Sequence, residues 1–198
     1  MALILGTDLD DCVLETARSI IAKIKQDCGI NINYDDICSY NLGDHISKEY
    51  HSKIQEIVYS VLQHTDSIEV VSSSILVLNW ITLLTKKVYV VSHRPSSVYD
   101  HTKQVLENIG LSRFELIFTH EDNVCDYLHK YRVINDYGIN VFIEDKPETI
   151  MDLFNFTSCE ILVFSRPWNK FIKENSRITV CNSWADIRDL TLMKMVGE

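Results

Sequence analysis

Three carboxylates crowd into four positions at Asp8-Leu9-Asp10-Asp11, directly after the apolar run 2–6. If that run is a strand, Asp8 and Asp10 project to the same side and Asp11 elsewhere. Two adjacent carboxylates raise each other's pKa unless a cation neutralises them. A hard divalent ion with oxygen ligands is the natural counter-charge, and Mg²⁺ is the usual one beside phosphates. Taken alone, the cluster reads equally as an acidic cap on the helix that follows. A second apolar run, 141–143, ends in Glu144-Asp145 with Lys146-Pro147-Glu148 behind it. Strand ends of this kind lie along one edge of a parallel sheet. Asp145 can then join Asp8 and Asp10 around a single ion, with Glu144 or Glu148 in or near its outer shell. A third run, 88–91, ends in Ser92-His93-Arg94-Pro95. The Ser92 hydroxyl with neighbouring N–H groups suits phosphoryl oxygens, and Arg94 adds charge. Lys130, at the start of a helical stretch, can reach the same edge and balance carboxylates and phosphate together.

These residues need strands that end side by side. Short runs rich in branched residues mark strands at 2–6, 88–91, 116–118, 141–143 and 161–164. Helical patterns lie between and after them at 98–108, 127–137, 148–154 and 184–193, with Gly110 and Gly138 as helix stops. Strands alternating with helices predict an α/β fold: a Rossmann-like parallel sheet covered on both faces. Residues 14–84 break the rhythm. They hold no strand signal but three helical stretches, the last over 72–84, with loops at 31–36 and 39–45. Inserted after the first strand, this material would hang over the carboxyl ends of the strands, where such sheets bind ligands. The expected division is a core of residues 1–13 and 75–198 and a small helical cap of residues 14–74.

Composition narrows the function. The chain of 198 residues carries 19 Lys+Arg against 28 Asp+Glu, a formal net charge of −9. That balance argues against a general nucleic-acid binder, which needs surplus cations to displace counterions. No apolar run approaches the ~18 residues of a membrane span, and residues 1–11 do not read as a secretory signal. A cytoplasmic protein is expected. Six cysteines are scattered with no CxxC pair, and seven histidines show no metal-binding spacing.

In order, Asp8-Leu9-Asp10, Ser92, Lys130 and Glu144-Asp145 resemble the four signature motifs of the haloacid dehalogenase superfamily of phosphotransferases. Those motifs are DxDx(T/V), a strand-end Ser or Thr, a Lys, and a strand-end acidic pair. The resemblance runs from residue 4 to about residue 190, and the spacing of about eighty residues between the first two motifs fits an inserted cap. The segment 142–148, Ser165-Arg166-Pro167-Trp168-Asn169-Lys170 and Trp184 are similar, more closely, to the cytosolic 5′(3′)-deoxyribonucleotidase family. Residues 34–42 are similar less specifically, and Trp168 and Trp184 read equally as core packing. Cys12 stands where the superfamily usually has Thr or Val, and Asp11 where these nucleotidases often have Gly. Residues 70–73 replace a Pro-Gly turn.

The resemblance implies a Mg²⁺-dependent phosphomonoester hydrolase acting through an aspartyl-phosphate. Asp8 would be its nucleophile and Asp10 its general acid and base. Asp8, the backbone carbonyl of Asp10 and Asp145 would hold Mg²⁺, with Glu144 a further candidate. Ser92 and Lys130 would bind phosphate, while Arg94, Tyr40 and Arg166 are candidates for substrate contact. The expected substrate is a (deoxy)nucleoside monophosphate, with no nucleic-acid polymer or membrane as partner and a homodimer left open. The alternatives are a phosphatase of another small metabolite and a catalytically silent binding protein.

Overall fold

Short branched runs separated by charged turns become six strands. The computed structural model describes residues 3–120 and 129–196. In it β1 (Ile4–Thr7), β2 (Lys87–Pro95), β3 (Phe114–His120), β4 (Val141–Glu144), β5 (Glu160–Phe164) and β6 (Ile178–Cys181) form one sheet. The strand order is β3-β2-β1-β4-β5-β6 and every neighbouring pair is parallel. Parallel neighbours require crossovers, which helices supply. Helices α1 (Thr16–Cys28), α2 (His51–Gln63) and α3 (Ser74–Leu84) lie between β1 and β2. Helix α4 (Tyr99–Asn108) follows β2, α5 (Lys130–Tyr137) precedes β4, α6 (Pro147–Phe156) follows β4, and α7 (Trp184–Val196) closes the chain.

Alternation along the strands divides the core between the two faces of the sheet. Leu5, Val88, Val90, Val141, Ile143 and Leu162 cluster with Leu78, Ile81, Leu106 and Ile187 from α3, α4 and α7. Tyr89, Val91, Phe142, Ile161 and Val163 meet Val133, Ile134, Ile150 and Leu153 from α5 and α6. With both faces covered, the strands read as nearly unbroken apolar runs. Gly6 is opposite Phe142 in the β1–β4 register. A methyl group there would come within 2.5 Å of the Phe142 ring, so β1 tolerates only a hydrogen.

The segment between β1 and α3 carries α1, α2 and single 3₁₀ turns at Tyr34–Asp36, Leu42–His45, Lys48–Tyr50 and Thr65–Ser67. Ile20 and Ile24 of α1 and Ile54, Ile57 and Val61 of α2 recur at helical spacing. They join the apolar cluster on the α3 face of the sheet. Asp11, in the turn before α1, has φ +59°, the left-handed region that glycine occupies without strain. Its carboxylate accepts the Ala17 N–H at 3.0 Å, the capping role that the acidic run suggested.

Three features depart from the sequence expectations. Strand β6 was not among the expected strands; it is only four residues long, with Thr179 and Val180 half-buried at the sheet edge. Strands β2 and β3 continue beyond their apolar runs, β2 through Ser92 to Pro95. Helix α5 begins at Lys130; residue 2 of the first expected strand and residues 127–128 of the expected helix lie outside the described residues. Among the described residues the cysteines are free, and no helix is long and apolar enough to cross a membrane.

Candidate active site

In this strand order the chain turns back at β1, which lies between β2 and β4, and open α/β sheets bind ligands at the carboxyl ends beside such a switch. Asp8 follows β1 and Asp145 follows β4. The Asp8 N–H donates to the Ile143 carbonyl at 2.8 Å, which fixes the two strand ends together. A carboxylate oxygen of Asp8, one of Asp145 and the Cys12 Sγ all lie within 4.8 Å of one another. Residues 137 apart in sequence thus meet within reach of a single ion. Lys130, in the first turn of α5, bridges this centre. Its Nζ donates to Asp8 Oδ1 at 2.6 Å and to Glu144 Oε2 at 2.8 Å. Glu144 Oε1 accepts the N–H groups of Asp145 and Lys146, each at 3.1 Å, so Glu144 shapes the turn as well as holding the lysine.

Asp10 belongs to a second arrangement. Spacing along the strand predicted its carboxylate beside those of Asp8 and Asp145, but the structure turns it to Arg94. The guanidinium donates to Asp10 through Nη2 at 2.7 Å and Nε at 3.0 Å. Thr16 and Ser92 hydroxyls add bonds of 2.5 and 3.3 Å. The physical reason is the cation: a bidentate guanidinium outcompetes a site already holding two carboxylates. The side chain of Asp10 is therefore outside the ion cluster. Arg94 lines the cleft but is buried. Its Nη1 is occupied by Thr65 and Thr102 hydroxyls at 2.8 and 3.2 Å, so most of its donors are taken by Asp10 and these two threonines.

The two acids titrate in opposite directions. Burial pushes the Asp8 carboxyl up to about 7, even against the pull of Lys130. Burial acts on Asp10 as well, but Arg94 overcomes it and holds that carboxyl below the usual range. Asp145 is raised well above it by burial and by Glu144 and its other acidic neighbours. Lys130 is buried too, yet Asp8 and Glu144 keep it firmly protonated. Asp145 is fully closed to solvent. Its oxygens accept from Trp168 Nε1 at 3.0 Å and Cys12 Sγ at 3.6 Å, and among the described residues no cation pairs with it. Buried carboxylate oxygens short of positive charge fit a hard divalent cation.

Ser92 is fully buried beneath Asp10, where its Oγ also accepts the Arg94 N–H at 3.2 Å. Tyr40 lines the cleft above the acids, edge-on to Trp168 and with Lys146 Nζ 4.8 Å above its ring. Arg166 was expected at the substrate and is instead buried on the far side of the turn after β1. There it donates to the Asp11 carbonyl at 2.7 Å and pairs with Glu15 and Tyr34, because those groups offer it charge and acceptors away from water. Trp168 and Asn169, adjacent in the Pro167–Asn169 turn, both anchor Asp145, Asn169 through the backbone carbonyl at 2.8 Å. The sequence signalled Trp168 only as a tryptophan near the motif; its bond to Asp145 depends on how β5 lies beside β4. The cleft has a volume of about 870 Å³, within the ~300–1,000 Å³ of small-molecule sites. Asp8, Asp10 and Lys130 line its floor, and Leu42, Ile54, Val58 and Leu62 its helical side.

The model of one family, described as 5′ nucleotidase, deoxy (pyrimidine), cytosolic type C protein, matches residues 2–196. The chain belongs to the cytosolic type C 5′-nucleotidase family. No curated protein matches its sequence. Solved structures share its fold at low identity. A haloacid dehalogenase-like hydrolase from Streptococcus pneumoniae superposes with TM-score 0.66 at 10% identity, covering 96% of this chain and 98% of that one. A predicted phosphoglycolate phosphatase from Haemophilus somnus gives 0.64 at 12%, covering 95% and 97%. CbbY from Rhodobacter sphaeroides, solved with phosphate, gives 0.59 at 11%, covering 94% and 96%. This member of the 5′-nucleotidase family has the fold that haloacid dehalogenase-like hydrolases share.

Proposed function

We propose that the chain is a Mg²⁺-dependent 5′-nucleotidase that hydrolyses (deoxy)nucleoside monophosphates in two steps. The observation that carries this reading is the meeting of Asp8 and Asp145 at one point, with Lys130 bonded to Asp8. Lys130 occupies Asp8 Oδ1, and among the described residues no donor bonds to Oδ2. Oδ2 attacks phosphorus, the P–O bond to the sugar breaks, and the leaving alkoxide takes a proton that Asp10, ionised at rest beside Arg94, relays from solvent. Water then attacks the aspartyl-phosphate and gives a proton to Asp10. The bond to Asp8 breaks and inorganic phosphate leaves. Arg94 favours the ionised form of Asp10, the form the second step requires. Lys130 stabilises the equatorial oxygens, while Ser92, fully buried, bonds Asp10 and acts through it. Asp8, Asp145 and the Asp10 carbonyl would hold Mg²⁺, which when bound neutralises charge between the carboxylate and the phosphate.

Residues 14–74 form the cap and residues 1–13 and 75–198 the core in this reading. The cap supplies the apolar wall and Tyr40, a surface suited to a nucleobase. A panel of monophosphates with Mg²⁺ tests the proposal. Nucleoside monophosphates are expected to be hydrolysed best, and Asp8→Asn to abolish both turnover and trapped phosphoenzyme. Faster hydrolysis of a sugar phosphate would replace the substrate; no turnover of any ester would replace the enzyme with a binding protein.

A further inference from the structure

The ion site contains a donor that oxygen chemistry does not require. Cys12 lies in the turn between β1 and α1, fully closed to solvent. Trp184 Nε1 holds its carbonyl at 2.8 Å, so the backbone that presents the thiol is pinned from behind. The Sγ faces inward, 3.6 Å from Asp145 Oδ1 and within 4.8 Å of an Asp8 oxygen. A buried Cys often behaves as a small apolar filler. Here its sulfur meets a carboxylate that has no cation among the described residues.

The spacing admits a shared tetrahedral ion. A Zn–S bond of about 2.3 Å and a Zn–O bond of about 2.1 Å at the tetrahedral angle put S and O about 3.6 Å apart. That is the separation of Cys12 Sγ and Asp145 Oδ1. Thiolate sulfur is a ligand that zinc takes readily and Mg²⁺ does not.

We propose that Asp8, Cys12 and Asp145 form a two-oxygen, one-sulfur site for a thiophilic divalent cation of the zinc or cadmium class, which displaces Mg²⁺ and silences the enzyme. The inference rests on the ion-site reading above and adds a competitor to it. Binding forms an M–S bond and releases the thiol proton to solvent. Three protein ligands around a tetrahedral ion leave one open position, where an octahedral ion keeps several for phosphate and water. Thr or Val at position 12, as in the superfamily pattern, would lack the sulfur.

The full chain, stripped with a chelator, is titrated with Zn²⁺ against a chromogenic competitor, with Mg²⁺ in parallel. X-ray absorption then reads the ligands of the bound zinc. Wild type is expected to show sulfur at about 2.3 Å from zinc. Cys12→Val and Cys12→Thr, checked for folding by thermal unfolding, should lose that shell and about 10–100-fold in Zn²⁺ affinity. Their Mg²⁺ affinity should stay within about threefold of wild type, because Mg²⁺ takes oxygen and not sulfur ligands. A variant with Cys28, Cys38 and Cys125 changed to Ser should keep the sulfur. A zinc shell of oxygen and nitrogen alone, equal affinity in Cys12→Val, or loss of sulfur in the triple variant overturns the proposal while leaving Mg²⁺ binding intact. Failure of Mg²⁺ to bind wild type overturns the ion-site reading with it.

Discussion

Replacing Lys130 with Met removes the one positive charge bonded to Asp8 and Glu144, whose side chains are 7% and 0% exposed. Breaking a buried pair by deleting one partner costs about 3–5 kcal/mol. Proton uptake sets a second bound. Neutralising a carboxylate of ordinary pKa at pH 7 costs roughly 4 kcal/mol, at about 1.4 per unit. Asp8 is already held up at about 7, so its own share is small and the loss falls on the fully buried Glu144 side chain left without its partner. The two routes agree on a loss of about 3–5 kcal/mol at pH 7. For a chain of this size that lowers the melting temperature by about 6–20 °C. At pH 5 protonation is far easier, and the deficit should shrink to about 1–2 kcal/mol. Urea unfolding of the metal-free protein at the two pH values measures both. Glu144→Gln added to Lys130→Met should recover more than half of the loss. A deficit under 1 kcal/mol, or one that does not change with pH, refutes the argument that unpaired buried charge is the cause.

Arg94→Leu should raise the pKa of Asp10 and move the acid limb of the pH–rate profile upward by about one to two units; a higher KM with an unmoved limb would make Arg94 a substrate contact instead. Asp8 and Asp11 have folded pKa values near 7 and 8, above their ordinary value of 3.8. Their contribution is fully present below about pH 4 and is lost as pH rises through 7–8. The metal-free protein should thus be a few kcal/mol less stable at pH 8.5 than at pH 5. Asp11→Asn keeps an acceptor for the Ala17 N–H and tolerates the left-handed backbone, and should flatten part of that fall in thermal scans. Gly6→Ala should cost about 1–3 kcal/mol in chemical denaturation by forcing Phe142 aside, and Phe142→Leu should restore part of it.

The parts of the site legible in the sequence were those written locally. An apolar run ending in acid states a strand and the side chains at its carboxyl end together, and the structure brings Asp8 and Glu144-Asp145 side by side in that way, while β2 runs on past Ser92 to Pro95. Helices at α1, α2 and α3 were legible because 14–84 lacks strand periodicity while its apolar residues recur at helical spacing. What was not legible depends on pairing at a distance. Asp10 meets Arg94 from 84 positions away, and that pairing exists because β1 and β2 are neighbours in the sheet. Trp168 meets Asp145 because β5 packs beside β4, Arg166 meets Asp11, Glu15 and Tyr34 from more than 130 positions away, and no local pattern in 165–170 separates a buried arginine from a substrate-facing one. Strand β6 escaped because four edge residues carry little periodicity. Cys12 could be noted as a departure from a motif, but not as a neighbour of Asp145.

Two carboxylates two residues apart at a strand end would ordinarily repel and rise in pKa together. Here each has its own cation, and the cations differ in kind. Burial raises Asp8, and Lys130, which shares its charge between Asp8 and Glu144, offsets only part of that rise. Arg94 gives its paired donors to Asp10 alone, which leaves Asp10 lowered. Separated pKa values on neighbouring acids are what distinct catalytic roles demand. The same separation explains why the site needs a cation from outside. Near neutral pH, Asp8 stands partly protonated and is then no nucleophile, so an ion bound by Asp8 and Asp145 would act on the titration of Asp8 as well as on the charge of the phosphate. Asp10, held by Arg94, would scarcely register that ion, and so the proton-transfer group keeps its state while the attacking group is switched by what binds beside it.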